Sequence, residues 1–276
     1  MMSKSLFAAA ALALSVSAQT STTCNPLERD CPAAPALGNQ QFYYEFKNGD
    51  SADFNNLGGT NFSYDANNGA LFNIDREGQS PTIALKKYIF FGRIDVELQA
   101  SPGVGVVTSV VLQSADLDEI DWEWLGGDNT QVQSNYFGKG DVTTYDRGAF
   151  HPVSAPVDTF HTYSIDWTPQ KVDWLIDNVV VRTLNYADAK GGSRYPQTPM
   201  EVKLGTWVAG LPSASPGTVQ WAGGMTDFSK APFDAWYKSI KIVDYAGGSA
   251  PTTDNVKEYV FGDRSGSFGS IQIVKN

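Results

Sequence analysis

Residues 118–126 read DEIDWEWLG, and in this stretch Glu119, Asp121 and Glu123 fall on every second position between Ile120, Trp122 and Trp124. In a β-strand, positions i, i+2 and i+4 share a face, so the spacing puts the carboxylates on one face and the large apolar side chains on the other. The apolar set belongs in a core, which leaves the acids facing a groove or solvent. A solvated acidic face is one reading and a calcium site another. Like charges on neighbouring positions of a sheet are destabilising, so stability alone gives no reason to collect them there. Acid–base chemistry does. At about 3.3 Å per residue the Cα atoms of Glu119 and Glu123 are roughly 13 Å apart, and if each side chain leans roughly 4 Å toward the other, the carboxyls come to about 5 Å. That is the separation of a retaining glycosidase, in which one carboxylate attacks the anomeric carbon and the other protonates the departing oxygen; an inverting enzyme needs a wider gap. Asp121 between them can share a proton with the nucleophile and keep the two glutamates at different pKa values.

The elements that must carry these acids are strands. ALFNID, TIALKKYIFFGRIDVELQA, GVVTSVVLQS, EIDWEWLG, TQVQSNYF, FHTYSIDWT, KVDWLIDNVVVRTL, MEVKLGTWV and FDAWYKSIKIVDY recur between Gly, Asn, Pro and Asp punctuation. Many alternate apolar with polar, the period of a half-buried strand. Asp177-Asn178 marks a hairpin. Helical patterns are scarce, YADAKG and the region near Lys257 being the best short candidates. The expected class is all-β, an antiparallel sandwich. The segment 247–255 reads as a linker, so that 247–276 either adds a last strand or is loosely attached to a single domain spanning 19–276.

The chain carries 30 acidic against 20 basic residues, a formal charge of -10, which disfavours nucleic acid or anionic lipid as a partner. A neutral partner fits better: 26 Gly, 12 Tyr and 7 Trp suit a surface that turns tightly and stacks on sugar rings, although most aromatics are core residues. Residues 1–18 combine Lys4, the apolar run LFAAAALALSV and small residues at Val16 and Ala18, the pattern of a secretory signal cut before Gln19. No later stretch approaches the roughly 20 apolar residues of a spanning helix. Cys24 and Cys31, just after the signal, are expected to pair as a local disulfide, since a metal site would need further ligands. With His151 and His161 as the sole histidines, there is no His-rich metal cluster, and both read as surface or internally satisfied residues. Asn61 opens NFS, an N-glycosylation sequon. The residues up to Asn276 give no hydrophobic GPI signal. A secreted, extracellular monomer is the expectation.

The E-I-D-x-E core resembles the signature of glycoside hydrolase family 16. The combination of TCNPL...CP...PALG, this motif, QVQSNYFGKG and KLGTWVAG...PGTVQWAGG is, more narrowly, similar to the fungal Crh cell-wall transglycosylases, from about Cys24 to about Tyr245. The resemblance implies a curved, concanavalin-like β-jelly roll with the motif on a strand lining its concave face. It implies Glu119 as nucleophile, Glu123 as general acid and then base, and Asp121 as the assisting residue. It implies cleavage of chitin, retention of the donor half as a glycosyl-enzyme, and transfer to a β-glucan or chitin chain in the fungal cell wall, with no metal or organic cofactor. Many such proteins continue into a Ser/Thr-rich tail with a GPI signal; this sequence does not.

Around the acids, Gln133, Asn135 and Tyr136 are expected on the next strand, where they can bond sugar hydroxyls. Lys203 and Trp207 share a parity, one able to bond a sugar oxygen and the other to stack on a ring. Thr218 and Trp221 have opposite parity on a regular strand, so one of them faces the groove unless a bulge intervenes. Thr218 is the sugar-contact candidate and Trp221 a stacking one. Ordinary packing competes for each of these residues. The rivals to a transglycosylase are a family 16 endo-β-glucanase, in which water resolves the intermediate, a lectin-like module that binds without turnover, and an inactive structural wall protein.

Overall fold

The computed structural model describes residues 21–58, 60 and 62–276; the expected signal segment 1–18 and the Asn61 sequon lie outside them. Among the described residues the alternating patterns become two large antiparallel sheets. One sheet has seven strands in the order Ala149–Pro152, Gln131–Phe137, Glu119–Leu125, Val106–Ser114, Met200–Val208, Thr82–Leu85 and Phe54–Asn56. The other runs Val179–Asn185, Lys171–Ile176, His161–Trp167, Gly92–Gln99, Phe233–Asp244, Gly69–Ile74 and Ser63–Asp65, with Phe42–Glu45 also paired to Phe233–Asp244. The expected all-β sandwich is present.

The core between the sheets is aromatic. Trp122, Trp124, Trp167 and Trp174 are fully buried, and a truncation of such a side chain to Ala costs about 3–5 kcal/mol. A buried indole N–H favours an acceptor, and for two of the four the acceptor ties the two sheets together. Trp122 Nε1 donates to Ser164 O at 3.1 Å, and Trp174 Nε1 donates to Asp121 O at 3.1 Å. The acid-bearing strand is thus held from beneath by one bond it gives to the opposite sheet and one it receives.

Asp177 and Asn178 both adopt positive φ, 49° and 65°, which is what a two-residue hairpin turn between right-twisted strands demands. The long stretch 82–99 is broken at Phe91, φ 57°, into Thr82–Leu85 and Gly92–Gln99, one strand for each sheet. Two expectations fail. The region near Lys257 is not helical: Val256–Phe261 is a strand that pairs with Ile271–Lys275 and with Ala34–Pro35 in a third, small sheet. Nor is this C-terminal part loose. Tyr259 is buried and its hydroxyl donates to Asp244, whose carboxylate also accepts from the backbone N–H groups of Gly38, Phe90 and Ala246. Secondly, PGTVQW is not a strand but a short helix, Pro216–Trp221, with Ser215 at its N-cap accepting from Thr218 N. Ser followed by Pro at the first helical position is a helix-start signal, and it overrides the strand parity assumed for Thr218 and Trp221. YADAKG gives one turn of 3-10 helix, Tyr186–Asp188.

The disulfide Cys24–Cys31 is formed. The loop it staples reaches the C-terminal part through Arg264, which bonds Pro26 O and Asp30 Oδ1.

Candidate active site

The strand Glu119–Leu125 lies near the middle of the seven-stranded sheet, between Val106–Ser114 and Gln131–Phe137. It is reached by a tight return in which Ser114 N bonds Asp118 O and Leu117 takes φ 66°. Closing the chain there fixes the register. Gln113 faces Glu119, Val111 faces Asp121 and Ser109 faces Glu123. On the other side Phe137, Asn135 and Gln133 face the same three acids, and Glu201, Lys203 and Gly205 extend the rows across Met200–Val208. Ile120, Trp122 and Trp124 point into the core, so the acids occupy the outer, groove side.

These acids are deeply set rather than solvated, with Glu119, Asp121 and Glu123 at 3%, 2% and 6% exposure. Burial is the main cause that raises all three pKa values, because a low-dielectric site disfavours the charged form. They differ in what opposes it. For Glu119, a hydrogen bond from Asp121 and the charge of Lys203 pull the value back down, and Gln113 Nε2 donates to Glu119 Oε2 at 3.2 Å. For Asp121, the charges of Glu119 and Glu123 and the bond to Glu119 push it further up, to well above the ordinary range. For Glu123, the charge of Glu119 adds to burial. The site therefore favours a charge on Glu119 and protons on Asp121 and Glu123. Among the described residues no group of three His, Cys, Asp or Glu side chains is arranged to hold a metal ion.

The other candidates fall in three places. Gln133 lies in the row of Glu123, and its Oε1 accepts from Trp221 Nε1 at 3.0 Å. Trp221 in turn lies against Trp207 with ring centroids 6.1 Å apart and planes at 23°. Both indoles are half-buried and pack on Val107, Ala209 and Ala222 at one end of the groove. Trp221 reaches this position from the helix. Thr218 sits in the first turn of that helix, its hydroxyl paired with Ser215 Oγ at 2.8 Å, so the cap engages the group expected to meet sugar. Tyr136 is on the wrong face. It pairs with Ile120, is packed in the core and lies beneath the Arg182 guanidinium, because its parity is odd with respect to Gln133 and Asn135. Lys203 is 9% exposed, with its ammonium 2.6 Å from Gln113 Oε1 and 3.0 Å from Glu201 Oε1. Gly148 lies close to Gln133, and a Cβ there would come 2.7 Å from Nε2, so a larger residue would displace that amide.

Gln113 escaped notice in the sequence, although closing the turn between Ser114 and Asp118 places it opposite Glu119 by counting alone. Asp118, inside the quoted stretch, has the parity of Ile120 and is buried on the core side with Asp116. The histidines are internally satisfied. His151 Nε2 pairs with Ser134 Oγ at 2.8 Å, and His161 pairs with Asp177 and Ser154.

The profile of Glycosyl hydrolases family 16 matches residues 50–223, the greater part of the chain including the acids. Crh-like protein 5 of Aspergillus fumigatus is 48% identical over 96% of this chain and 66% of its own length; Crh-like protein 2 of Botryotinia fuckeliana is 48% identical over 94% and 56%. The chain thus spans somewhat over half to just under two thirds of these curated relatives. A solved structure of a Crh5 transglycosylase in complex with NAG is 47% identical, covers 91% of this chain and all of its own, and superposes with a TM-score of 0.84. A Bacillus licheniformis β-glucanase, 20% identical, shares the fold at a TM-score of 0.60 over 73% of this chain. With the acid strand on one face of a jelly-roll sandwich and these matches across nearly its whole length, the chain belongs to glycosyl hydrolases family 16, among the Crh-like proteins.

Proposed function

We propose that this protein is a secreted retaining transglycosylase that cleaves chitin-type chains of β-1,4-linked N-acetylglucosamine and passes the donor part to a β-glucan or chitin acceptor in the fungal cell wall. The observation that carries the reading is the acid strand itself, with Glu119 and Glu123 set two positions either side of Asp121 in a buried row where charge is favoured on Glu119. Glu119 attacks the anomeric carbon while the Glu123 carboxyl gives its proton to the departing glycosidic oxygen. Glu123, now a carboxylate, takes the proton of an incoming sugar hydroxyl as that oxygen displaces Glu119 from the anomeric carbon. Asp121 holds a proton against Glu119, which lets the attacking carboxylate sit ionised among its neighbours. The Trp207 and Trp221 indoles supply an apolar wall on which a sugar ring can stack in preference to water. The relation to a transglycosylase solved with NAG supports the choice of donor, and the Cys24–Cys31 disulfide supports an oxidising, extracellular setting.

The test is mass spectrometry of products after incubation with chitin oligosaccharides and a fluorescent laminari-oligosaccharide, with Glu119→Gln as control. Labelled products extended by N-acetylglucosamine units, absent in the control, are expected. Shortened chains alone make the protein a hydrolase; no change in chain length moves the reading to a binding module.

A further inference from the structure

Lys203 has the parity of a groove residue, yet its ammonium is already engaged. It donates to Gln113 Oε1 at 2.6 Å and pairs with Glu201 Oε1 at 3.0 Å, and the residue is 9% exposed. Gln113, 4% exposed, spans from that ammonium to the acid strand, donating from Nε2 to Glu119 Oε2 at 3.2 Å. The strand register brings these groups within reach of one another. Glu201, Gln113 and Glu119 form one cross-strand row, while Lys203, Val111 and Asp121 form the next. Val111 cannot bond to Lys203, so the ammonium reaches into the neighbouring row.

We infer that Lys203 is a positioning residue for Glu119, acting through the Gln113 amide. This rests on the reading of Glu119 as the nucleophile. A glutamine amide can sit either way round, offering oxygen or NH2 to a neighbour. Between an ammonium and a carboxylate one orientation is allowed, because the flipped amide sets NH2 against the cation and oxygen against the anion. Lys203 thus selects the orientation in which Gln113 donates to Glu119, and Glu201 holds the cation that makes the selection. The consequence is a carboxylate with one oxygen fixed by a donor, its plane set by the sheet instead of by the substrate. Preorganisation of this kind acts on the chemical step more than on binding.

The groups facing Glu119 are few. On its own strand they are Asp121 and Glu123, and across the sheet Gln113, with Lys203 and Glu201 behind it. On the other side stands Phe137, with the Arg147 guanidinium 4.7 Å from its ring centroid. Of the cations, Lys203 is the one whose charge lowers the Glu119 value against the effect of burial.

The experiment is a double-mutant cycle on the full chain with Lys203→Met, Gln113→Leu and both together, read by steady-state kinetics on a chitin-oligosaccharide donor. A carbon-13 NMR titration of the Glu119 carboxyl, assigned by its loss in Glu119→Gln, accompanies it. Loss of a bond to a charged group predicts that kcat falls roughly 10- to 100-fold in each single variant, with KM within about twofold. The double variant is expected to be no worse than Gln113→Leu alone, and Lys203→Met to move both the Glu119 titration and the acidic limb of the rate profile to higher pH. A rise in KM with an unchanged Glu119 titration, or losses that simply multiply, overturns the inference and returns Lys203 to the sugar. Gln113→Glu guards against misfolding. It keeps the partner of Lys203 and the side-chain volume but replaces the donor to Glu119 by a carboxylate, so an unchanged titration and kcat in that variant also overturn the inference. If the parent neither transfers nor cleaves, the proposed function fails while the NMR titration still decides the coupling.

Discussion

Two acidic clusters lie back to back at the start of the same strand, and both are buried. On the groove side are Glu119, Asp121 and Glu123. On the core side, one residue away in sequence, are Asp118 and Asp116. Asp118 is completely buried and accepts from Lys139 N, Gln197 N and Thr198 Oγ1, each at 2.8 Å. The Thr198 hydroxyl also lies 2.7 Å from Asp116 Oδ1, which accepts from Asp118 N. This is a clasp. It ties the turn before the acid strand to the loops at 139 and 197–198, and through Gln197 Oε1, which accepts from Phe268 N at 3.2 Å, to the C-terminal part; Asp116 Oδ2 is left without a hydrogen-bond partner among the described residues. The groove cluster has little of this. Asp121 Oδ1 has no hydrogen-bond partner among the described residues, and Glu123 is raised by burial and by the charge of Glu119 with nothing to oppose them. Carboxylates met by several donors hold a fold together, while carboxylates left short of donors are kept reactive at some cost to it.

The largest difference between the clusters should appear on mutation. Glu119→Gln is expected to lower transfer by roughly 10³-fold or more, and Glu123→Gln by about 10²–10⁴-fold with a natural leaving group. Neither should lower the thermal midpoint, since each removes an acid that burial holds above its ordinary pKa. Asp118→Ala should do the reverse. It strands two backbone N–H groups at about 1–3 kcal/mol each before relaxation, while the Thr198 hydroxyl keeps Asp116 Oδ1, so a loss of about 2–4 kcal/mol in denaturant unfolding is expected, with kcat reduced less than tenfold where the variant remains folded. A stable Asp118→Ala, or an unfolded Glu119→Gln, breaks the comparison.

A smaller effect, common to the two clusters, appears with pH. Burial raises Asp116 and pushes Asp118 up to about 8, as it raises the groove acids. A carboxyl whose folded pKa exceeds its unfolded value binds its proton more tightly in the folded state. Stability from this source is full below the unfolded value of about 4 and is lost as pH rises from there through the folded value. Chemical denaturation between about pH 5 and 8 should therefore show stability falling with pH, and Asp121→Asn should flatten that fall. Activity should trace a bell, with Glu119 taking up a proton on the acidic limb and Glu123 losing one on the alkaline limb, both limbs above the ordinary carboxylate range. A flat stability profile in the parent contradicts the raised values.

What the sequence revealed and hid follows from which residues obey a period. The alternation of EIDWEWL fixed the faces of the acids because a one-residue error would put three carboxylates in the core. The same counting, applied to QVQSNYF, separates Tyr136 from Gln133 and Asn135. The grouping of the three as sugar contacts set composition above parity. The strand parity expected for Thr218 and Trp221 does not hold because Ser215-Pro216 starts a helix there. The partners that set the roles of Asp118 and Gln113, namely Thr198, Gln197 and Lys203, are 79 to 90 residues distant, and no local pattern announces those pairings, although the turn at 114–118 does place Gln113 opposite Glu119. The C-terminal strands were hard to place for a similar reason, since Val256–Phe261 finds a partner at Ala34–Pro35.

The finest test of the comparison lies beside Glu123. Trp221 Nε1 donates to Gln133 Oε1 in the row of that acid, and the indole is half-buried on the helix rather than packed between the sheets. Trp221→Phe keeps an aromatic face against Trp207 but removes the donor, so Gln133 is free to turn. A bond between neutral groups at a partly open site contributes about 0.5–1.5 kcal/mol, and water can replace the lost donor there. With water making up most of that loss, the thermal midpoint is expected to move by no more than a degree or two. The product ratio should move more, because an acceptor sugar held against the two indoles competes with water for the glycosyl-enzyme, and a mobile Gln133 loosens that hold. The measurement is the ratio of transfer to hydrolysis products by mass spectrometry at a fixed acceptor concentration, with a fall of about two- to fivefold expected, which corresponds to about 0.5–1 kcal/mol of lost discrimination. An unchanged ratio with a lowered midpoint would place this bond with the clasp around Asp118, as a device of the fold and not of the groove.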